Sequence, residues 1–355
     1  MPELKSLKKN LTLLKQNAYQ SSKNKAKPSR LESVGNFFAD GGRSLRFIFS
    51  EKENILFALL QLAVIGLGYY VWVEGLAVVP EEVWEKSDSS DSNDAAAFII
   101  LVWSFFCVGL VAYPLGLLTA CMGASYILRF CGRPSTIAEC LKIVLPKSWT
   151  LWIFSWLDGW WTMERILERL PKKNDRMPLS VKLANEAVYQ AWKISSMGFL
   201  PALLCGRCVV DAAKDSLALL KERFSAMAKL RIGYSVICWF FGIAAYVGFF
   251  VMIFVFPFLA SGMETGHKVY NFYFLAGFPM LVVLTFIMLI FRPIYIISSC
   301  HIYAYYIREQ GISISLPQTS SKGLSALVAF LVLAVITAVA FLYRDQLGIT
   351  ALLEG

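Results

Sequence analysis

Five stretches of this chain run about 20 residues or more without one Asp, Glu, Lys or Arg: Ile55–Val73, Ala95–Leu128, Ile232–Ala260, Tyr270–Phe291 and Leu324–Tyr343. A bilayer core of ~30 Å is crossed by about 20 apolar residues in a helix. Lipid offers no partner for an open backbone group, so each stretch is predicted to be helical. The second and third exceed the bilayer thickness and are expected to tilt or to project past the membrane on the cytoplasmic side. The predicted fold class is therefore all-α, a polytopic membrane helix bundle with about five transmembrane helices plus cytoplasmic interfacial or re-entrant helices. Composition agrees. Of 355 residues, 57% are hydrophobic and only 17% charged, against ~25% in soluble domains. That excludes an ordinary soluble enzyme and a disordered chain.

Loop charge predicts orientation. Residues 1–53 carry 11 Lys/Arg against 5 Asp/Glu, and 129–231 carry 17 against 9. The loop Glu74–Asp94 has one lysine, Lys86, against seven acids. The positive-inside rule puts the two basic segments in the cytoplasm and the acidic loop outside, which leaves the C-terminus exterior. The net charge of +9 thus belongs to the cytoplasmic face. It suits membrane lipids with anionic headgroups and not nucleic acid. The first apolar run begins far from the N-terminus, so the first span is expected to act as an uncleaved anchor.

Three divisions follow: residues 1–30, a basic amphipathic N-terminal helix and linker; 31–343, the integral membrane helical domain; 344–355, an exterior tail. In the first, Leu4, Leu7, Leu11, Leu14 and Ala18 recur at helical spacing among lysines. Leu31, Val34, Phe38, Gly41, Leu45 and Ile48 form a second amphipathic stretch, predicted to lie along the interface. Ser87–Asp94 reads as a flexible acidic loop without the spacing of a calcium loop.

The segment 129–231 is predicted to be cytoplasmic and interfacial. Thr136 and Glu139 form a capping box that opens a short helix. Trp149–Met163 holds Trp149, Trp152, Trp156, Trp160 and Trp161. Tryptophan prefers the headgroup level, so this stretch is read as interfacial or shallowly re-entrant. Ser195–Val210, interrupted by Pro201 and Gly206, is read the same way. Ala213, Leu217, Leu220, Phe224 and Met227 form an apolar stripe on a further helix, with acids early and bases late. Cys131-Gly132-Arg133 and Cys205-Gly206-Arg207 echo each other at the ends of apolar stretches, with a looser third instance at Tyr305–Gly311.

Four patterns carry a resemblance: Gly42–Arg46, Leu128–Thr136 (LRFCGRPST), Trp192 leading to Pro201, and Ala213–Arg223 (AKDSLALLKER). Through them, over roughly residues 36–311, the chain resembles an uncharacterised family of bacterial multi-pass inner-membrane proteins, a domain of unknown function. Cys205 stands where that family's pattern usually has an acidic residue. The resemblance implies the helical membrane fold and a bacterial inner-membrane address, with no activity and no catalytic residues.

Candidate chemistry is sparse. Cys205 and Cys208 form a Cys-x-x-Cys at a helix start with Arg207 between them; redox use, zinc binding with Cys131 and Cys140, or simple packing are the alternatives. All eight cysteines lie in spans or cytoplasmic segments, which argues against disulfides. Asp158 sits among tryptophans, either functional or reaching headgroups and water. Arg292, followed by Pro293, interrupts an apolar run and is read as an interface marker where the proline bends the chain, or else as an anion-binding or gating group. His267 and His301 pair with no second histidine. No nucleotide loop, Ser elbow or HExxH motif is present, so no enzyme activity, cofactor or metal is expected. Gly109, Ala112, Gly116, Ala120 and Gly123 form a small-residue face for close helix packing, within the chain or against another subunit.

Two principal functional expectations result. One is a non-catalytic scaffold or subunit of a larger membrane complex, assembled as a homo- or hetero-oligomer through its membrane helices, with a cytoplasmic partner for the N-terminal helix. The other is a transporter or channel-like protein for a lipid or other apolar compound. Charge-free spans count against ion-coupled pumping. A thiol-redox or metal protein using Cys205 and Cys208 is a third.

Overall fold

The computed structural model describes residues 41–42, 44–77, 93–168, 179–255, 279, 282–312, 314, 316 and 322–342. The helix expected within 1–30, most of the acidic loop, His267 and the tail 344–355 lie outside them. The described residues form helices and short turns with no strand. The elements are α1 (Lys52–Ala77), α2 (Asn93–Phe130), α3 (Ile137–Val144), α4 (Ser148–Glu168), α5 (Leu179–Ser195), α6 (Phe199–Leu204), α7 (Val209–Val255), α8 (Arg292–Glu309) and α9 (Lys322–Leu342). The chain is a helical membrane-protein bundle.

Among the described residues, four helices are long and apolar enough to cross a membrane: Lys52–Leu76, Leu101–Phe130, Val209–Val251 and Val282–Glu309. Their limits differ instructively from the charge-free runs. The third begins at Val209, 23 residues before Ile232, because the stripe Ala213–Met227 leads into the apolar run across a kink at Arg223 (φ −118°, ψ 28°) that divides Val209–Val255 into two helical arms. The fourth continues helically through Arg292-Pro293. A π-turn, Ile287–Phe291, precedes it, with the Arg292 N–H donating to the Ile287 carbonyl. Pro293 thereby falls in the first turn of α8, where a missing N–H costs little. The fifth expected span is α9, apolar over the shorter stretch Ser325–Thr337 among the described side chains.

The main core gathers half-helices. Ala120–Leu128 of α2, Ile143 and Val144 of α3, Ala202–Cys205, Leu219 and Met227 of α7, and Ile294–Ile307 of α8 pack into one buried cluster. α6 lies in this core with Pro201, Ala202, Leu203 and Leu204 buried. Ile48 and Ser44 of the preceding helical turn also dock here, Ser44 Oγ lying 2.9 Å from Ser298 Oγ.

The echo between Cys131–Arg133 and Cys205–Arg207 has a structural cause, and Tyr305–Gly311 shares it. Gly132 (φ 73°), Gly206 (φ 88°) and Gly311 (φ 67°) each end a helix in the left-handed region. In each case the next residue's N–H reaches back five residues: Arg133 to Leu128 O at 2.8 Å, Arg207 to Ala202 O at 3.1 Å, and Ile312 to Ile307 O at 3.0 Å. This is the Schellman cap, made three times.

Candidate functional site

α4 is laid along α2 and not across it. Phe105 meets Trp156 and Trp160 (centroids 4.9 and 4.8 Å). Trp152 Nε1 donates to the Gly109 carbonyl at 2.8 Å, and Tyr113 meets Trp152 at 5.2 Å. The tryptophan segment is therefore packed lengthwise against a span-length helix, which differs from an element lying flat in an interface. The small-residue face explains how. A Cβ at Gly109 would stand 2.5 Å from the Trp156 ring, at Gly116 2.5 Å from Ser155 Oγ, and at Gly123 2.7 Å from Leu204 Cδ1. Ala112 and Ala120 are buried on the same face. The stripe Gly109–Gly123 is consumed by contacts within the chain.

This packing brings Asp158 into a polar cluster. Lys193 Nζ of α5 pairs with Asp158 Oδ1 at 2.5 Å, and the lysine side chain is only 11% exposed against 32% for the aspartate. The ammonium also lies 5.5 Å from the Tyr189 ring centroid, a cation–π contact. Arg231 of α7 is electrostatically coupled to Asp158, Tyr189, Tyr234 and Tyr295. Its Nε is buried with no hydrogen-bond partner, as is Trp192 Nε1 on α5. Tyr234 stacks on Tyr295 at 4.6 Å and stands in the field of both Arg231 and Arg292.

Arg292 is held on its far side by α2: Nη2 donates to Thr119 Oγ1 at 3.0 Å, and Nη1 to Met288 Sδ at 3.4 Å. Gln61 Nε2 of α1 donates to the same Thr119 oxygen at 3.2 Å. Lys193 thus takes the ion pair with Asp158 and Arg231 stands in the field of the same carboxylate, while Arg292 is turned to Thr119 and Met288. Both arginines fall inside Val209–Val251 and Val282–Glu309, so the span-length helices are not free of charge.

Cys205 lies in the field of Cys131, with no third ligand beside them among the described residues. Cys205 is buried at the base of its Schellman turn, and burial pushes its thiol up to about 12. Cys208 is exposed at the start of α7, where its Sγ donates to Asp211 Oδ2 at 3.0 Å. A protonated buried thiol is a poor nucleophile and a poor metal ligand. Among the described residues no three His, Cys, Asp or Glu side chains come together as a metal site. His301 is occupied by Tyr126, whose hydroxyl lies 2.7 Å from Nδ1.

Two further clasps were not anticipated from the sequence. Glu51 accepts from Arg129 (2.7 Å) and from Ser135 Oγ (2.5 Å), joining the start of α1 to the end of α2. Burial alone would raise its carboxyl, but the hydrogen bonds and the Arg129 charge hold it below the usual range. Asp215 accepts from Arg207 (2.9 Å) and from the Tyr303 hydroxyl (3.1 Å), tying the α6–α7 turn to α8. Arg231 and Lys193 were also missed. The signal lay in register: Arg231, Tyr234 and Cys238 share one face of α7 immediately before the apolar run. Comparison with family models, curated proteins and solved structures finds no match to this chain.

Proposed function

We propose that this is a non-catalytic, multi-pass membrane protein that takes up a lipid or comparable apolar compound between its helices. One observation carries the reading: Arg231 and Arg292, in two span-length apolar helices, form no ion pair among the described residues, and Arg231 Nε is buried without an acceptor. Uncompensated charge at such positions is costly, and proteins retain it where a ligand or pathway uses it. The scaffold expectation drew on the face Gly109–Gly123, which is covered by α4 and the core. In this reading the membrane is a bacterial inner membrane, with the N-terminus and the basic segment 129–231 cytoplasmic and near anionic headgroups.

The test is purification in a mild detergent followed by native mass spectrometry. Retained lipid in defined stoichiometry supports the reading. A stoichiometric protein partner with no lipid would return the scaffold. Orientation is checked with single cysteines in a variant lacking the native ones. Cysteine at Ser90 should label with an impermeant maleimide in spheroplasts and cysteine at Ser22 should not; the reverse pattern would invert the topology.

A further inference from the structure

α7 leaves the axis of its span at Arg223. Within the span, each step back along α7 is a step forward along the antiparallel helix 282–309: Phe241 lies against Phe286, Tyr234 against Tyr295, and Arg223 pairs with Glu309. Before Arg223 the order reverses. Asp215 accepts from the Tyr303 hydroxyl at 3.1 Å, and Tyr303 precedes Glu309 on α8. The arm 209–222 therefore turns back over the last turns of that helix instead of prolonging the span beyond them. It stands at the level where the apolar helix ends.

The arm buries one side and exposes another that is also apolar. Ala212, Ser216 and Leu219 are buried. Val210 (61%) and Leu217 (51%) are more than half exposed, and with exposed Val209 and Ala213 they share one sector of the helix. At about 100° per residue, Lys214 and Lys221 fall on the rim of this sector, and Asp211, Asp215 and Glu222 fall on the far side of the arm. The three acids are engaged within the chain. Asp211 accepts from Cys208 Sγ, Asp215 from Arg207 and Tyr303, and Glu222 from Gln310. Lys214 and Lys221 form no ion pair among the described residues. An exposed apolar sector rimmed by cations alone matches a bilayer surface, where lysine stems lie along the apolar phase and the ammonium groups reach the phosphates.

Charge selects the occupant. The amphipathic stretch 4–18 of this chain carries Lys5, Lys8, Lys9 and Lys15, and a second copy of the arm would bring Lys214 and Lys221 again. Either would set lysine against lysine. Anionic headgroups complement the rim instead. We propose that the arm 209–222 is a membrane-surface helix that docks on a leaflet containing anionic phospholipid, with Val210, Ala213 and Leu217 below the headgroups and Lys214 and Lys221 at their phosphates. The proposal goes beyond lipid uptake between the helices and does not depend on it.

The experiment uses the full chain with Cys131 and Cys208, the exposed thiols among the described residues, replaced by serine. It is reconstituted in vesicles of phosphatidylcholine alone or with an equal part of phosphatidylglycerol. A nitroxide is attached at Leu217→Cys, or at Val210→Cys should the first variant not accumulate, and its collisions with oxygen and with a water-soluble nickel chelate are compared. The parent without an added cysteine gives the background. In the anionic vesicles the label at either site should meet oxygen several-fold more often than nickel, and a label at Asp211→Cys should show the reverse. Lys214→Glu combined with Lys221→Glu should lower the oxygen preference toward that in phosphatidylcholine alone, and added salt should do the same. Equal immersion in both vesicles, unmoved by the paired glutamates, overturns the anionic surface. A nickel-exposed label at Leu217→Cys and Val210→Cys overturns docking altogether. A label shielded from both reagents shows that a protein segment or a second copy covers the row, and overturns the lipid.

Discussion

Trp152 donates its indole N–H to the backbone carbonyl of Gly109 at 2.8 Å. The bond is short because glycine at 109 lets α4 come within side-chain distance of the α2 backbone, and it satisfies a donor in apolar surroundings. The same approach recurs one and two heptads along α2, where Gly116 meets Ser155 and Gly123 meets Leu204.

Gly116→Leu should therefore act within the monomer. A Cβ there already stands 2.5 Å from Ser155 Oγ and 3.2 Å from the Leu151 carbonyl, and a backbone carbonyl cannot swing aside. Overpacking of this kind costs on the order of 1–3 kcal/mol. The expected result is loss of protein from the membrane fraction, with the surviving material unchanged in size on gel filtration. Normal abundance with a smaller particle would mean that the face joins subunits instead.

Gly132→Ala and Gly311→Ala should each destabilise by about 1 kcal/mol through backbone conformation alone. Both have positive φ and nothing within 4 Å of an added Cβ. Asparagine, which tolerates the left-handed region, should cost less than alanine at both sites. Thermal melts in detergent check the ranking. Equal melting of alanine and asparagine variants would show that the caps carry no strain.

Replacing both Cys205 and Cys208 by alanine should leave lipid retention intact and lower stability modestly. Cys205 is a buried neutral thiol and Cys208 an exposed one bonded to Asp211. Most of the cost should come from Cys205→Ala, by the small cavity it leaves, and almost none from Cys208→Ala. Loss of lipid retention at normal protein levels would revive a redox or metal role for the pair.

Glu51→Gln should lower the melting temperature at neutral pH by an amount corresponding to about 1 kcal/mol, since Arg129 is half exposed and solvent screens the pair. The sign with pH follows from the depressed carboxyl. A carboxylate held below its unfolded value contributes stability above the ordinary carboxylate range and loses it as pH falls through the folded value. The gap between wild type and Glu51→Gln should therefore close on acidification through and below that range. A gap independent of pH would mean that the ionised carboxylate is not what α2 recognises.

The helical membrane class was determined by the sequence alone, because lipid imposes one backbone solution on any long charge-free run. The Thr136–Glu139 cap, seen as Thr136 Oγ1 accepting from the Glu139 N–H at 3.4 Å, was equally local. So was the echo at Gly132, Gly206 and Gly311, which reported a shared cap before its geometry was visible. Tertiary structure alone decided what covers Gly109–Gly123, because a small-residue face specifies close approach without naming the helix that approaches. It also decided the setting of Asp158. Its partner Lys193 lies 35 residues away, and the pairing exists only because α4 and α5 pack side by side. Arg292 shows the same division: its charge and the following proline were legible, but the π-turn before it and the contact of its guanidinium with Thr119 were not. Local rules act over three to five residues, whereas the cationic cluster depends on helices meeting across more than a hundred residues of chain, and no short-range pattern records that encounter.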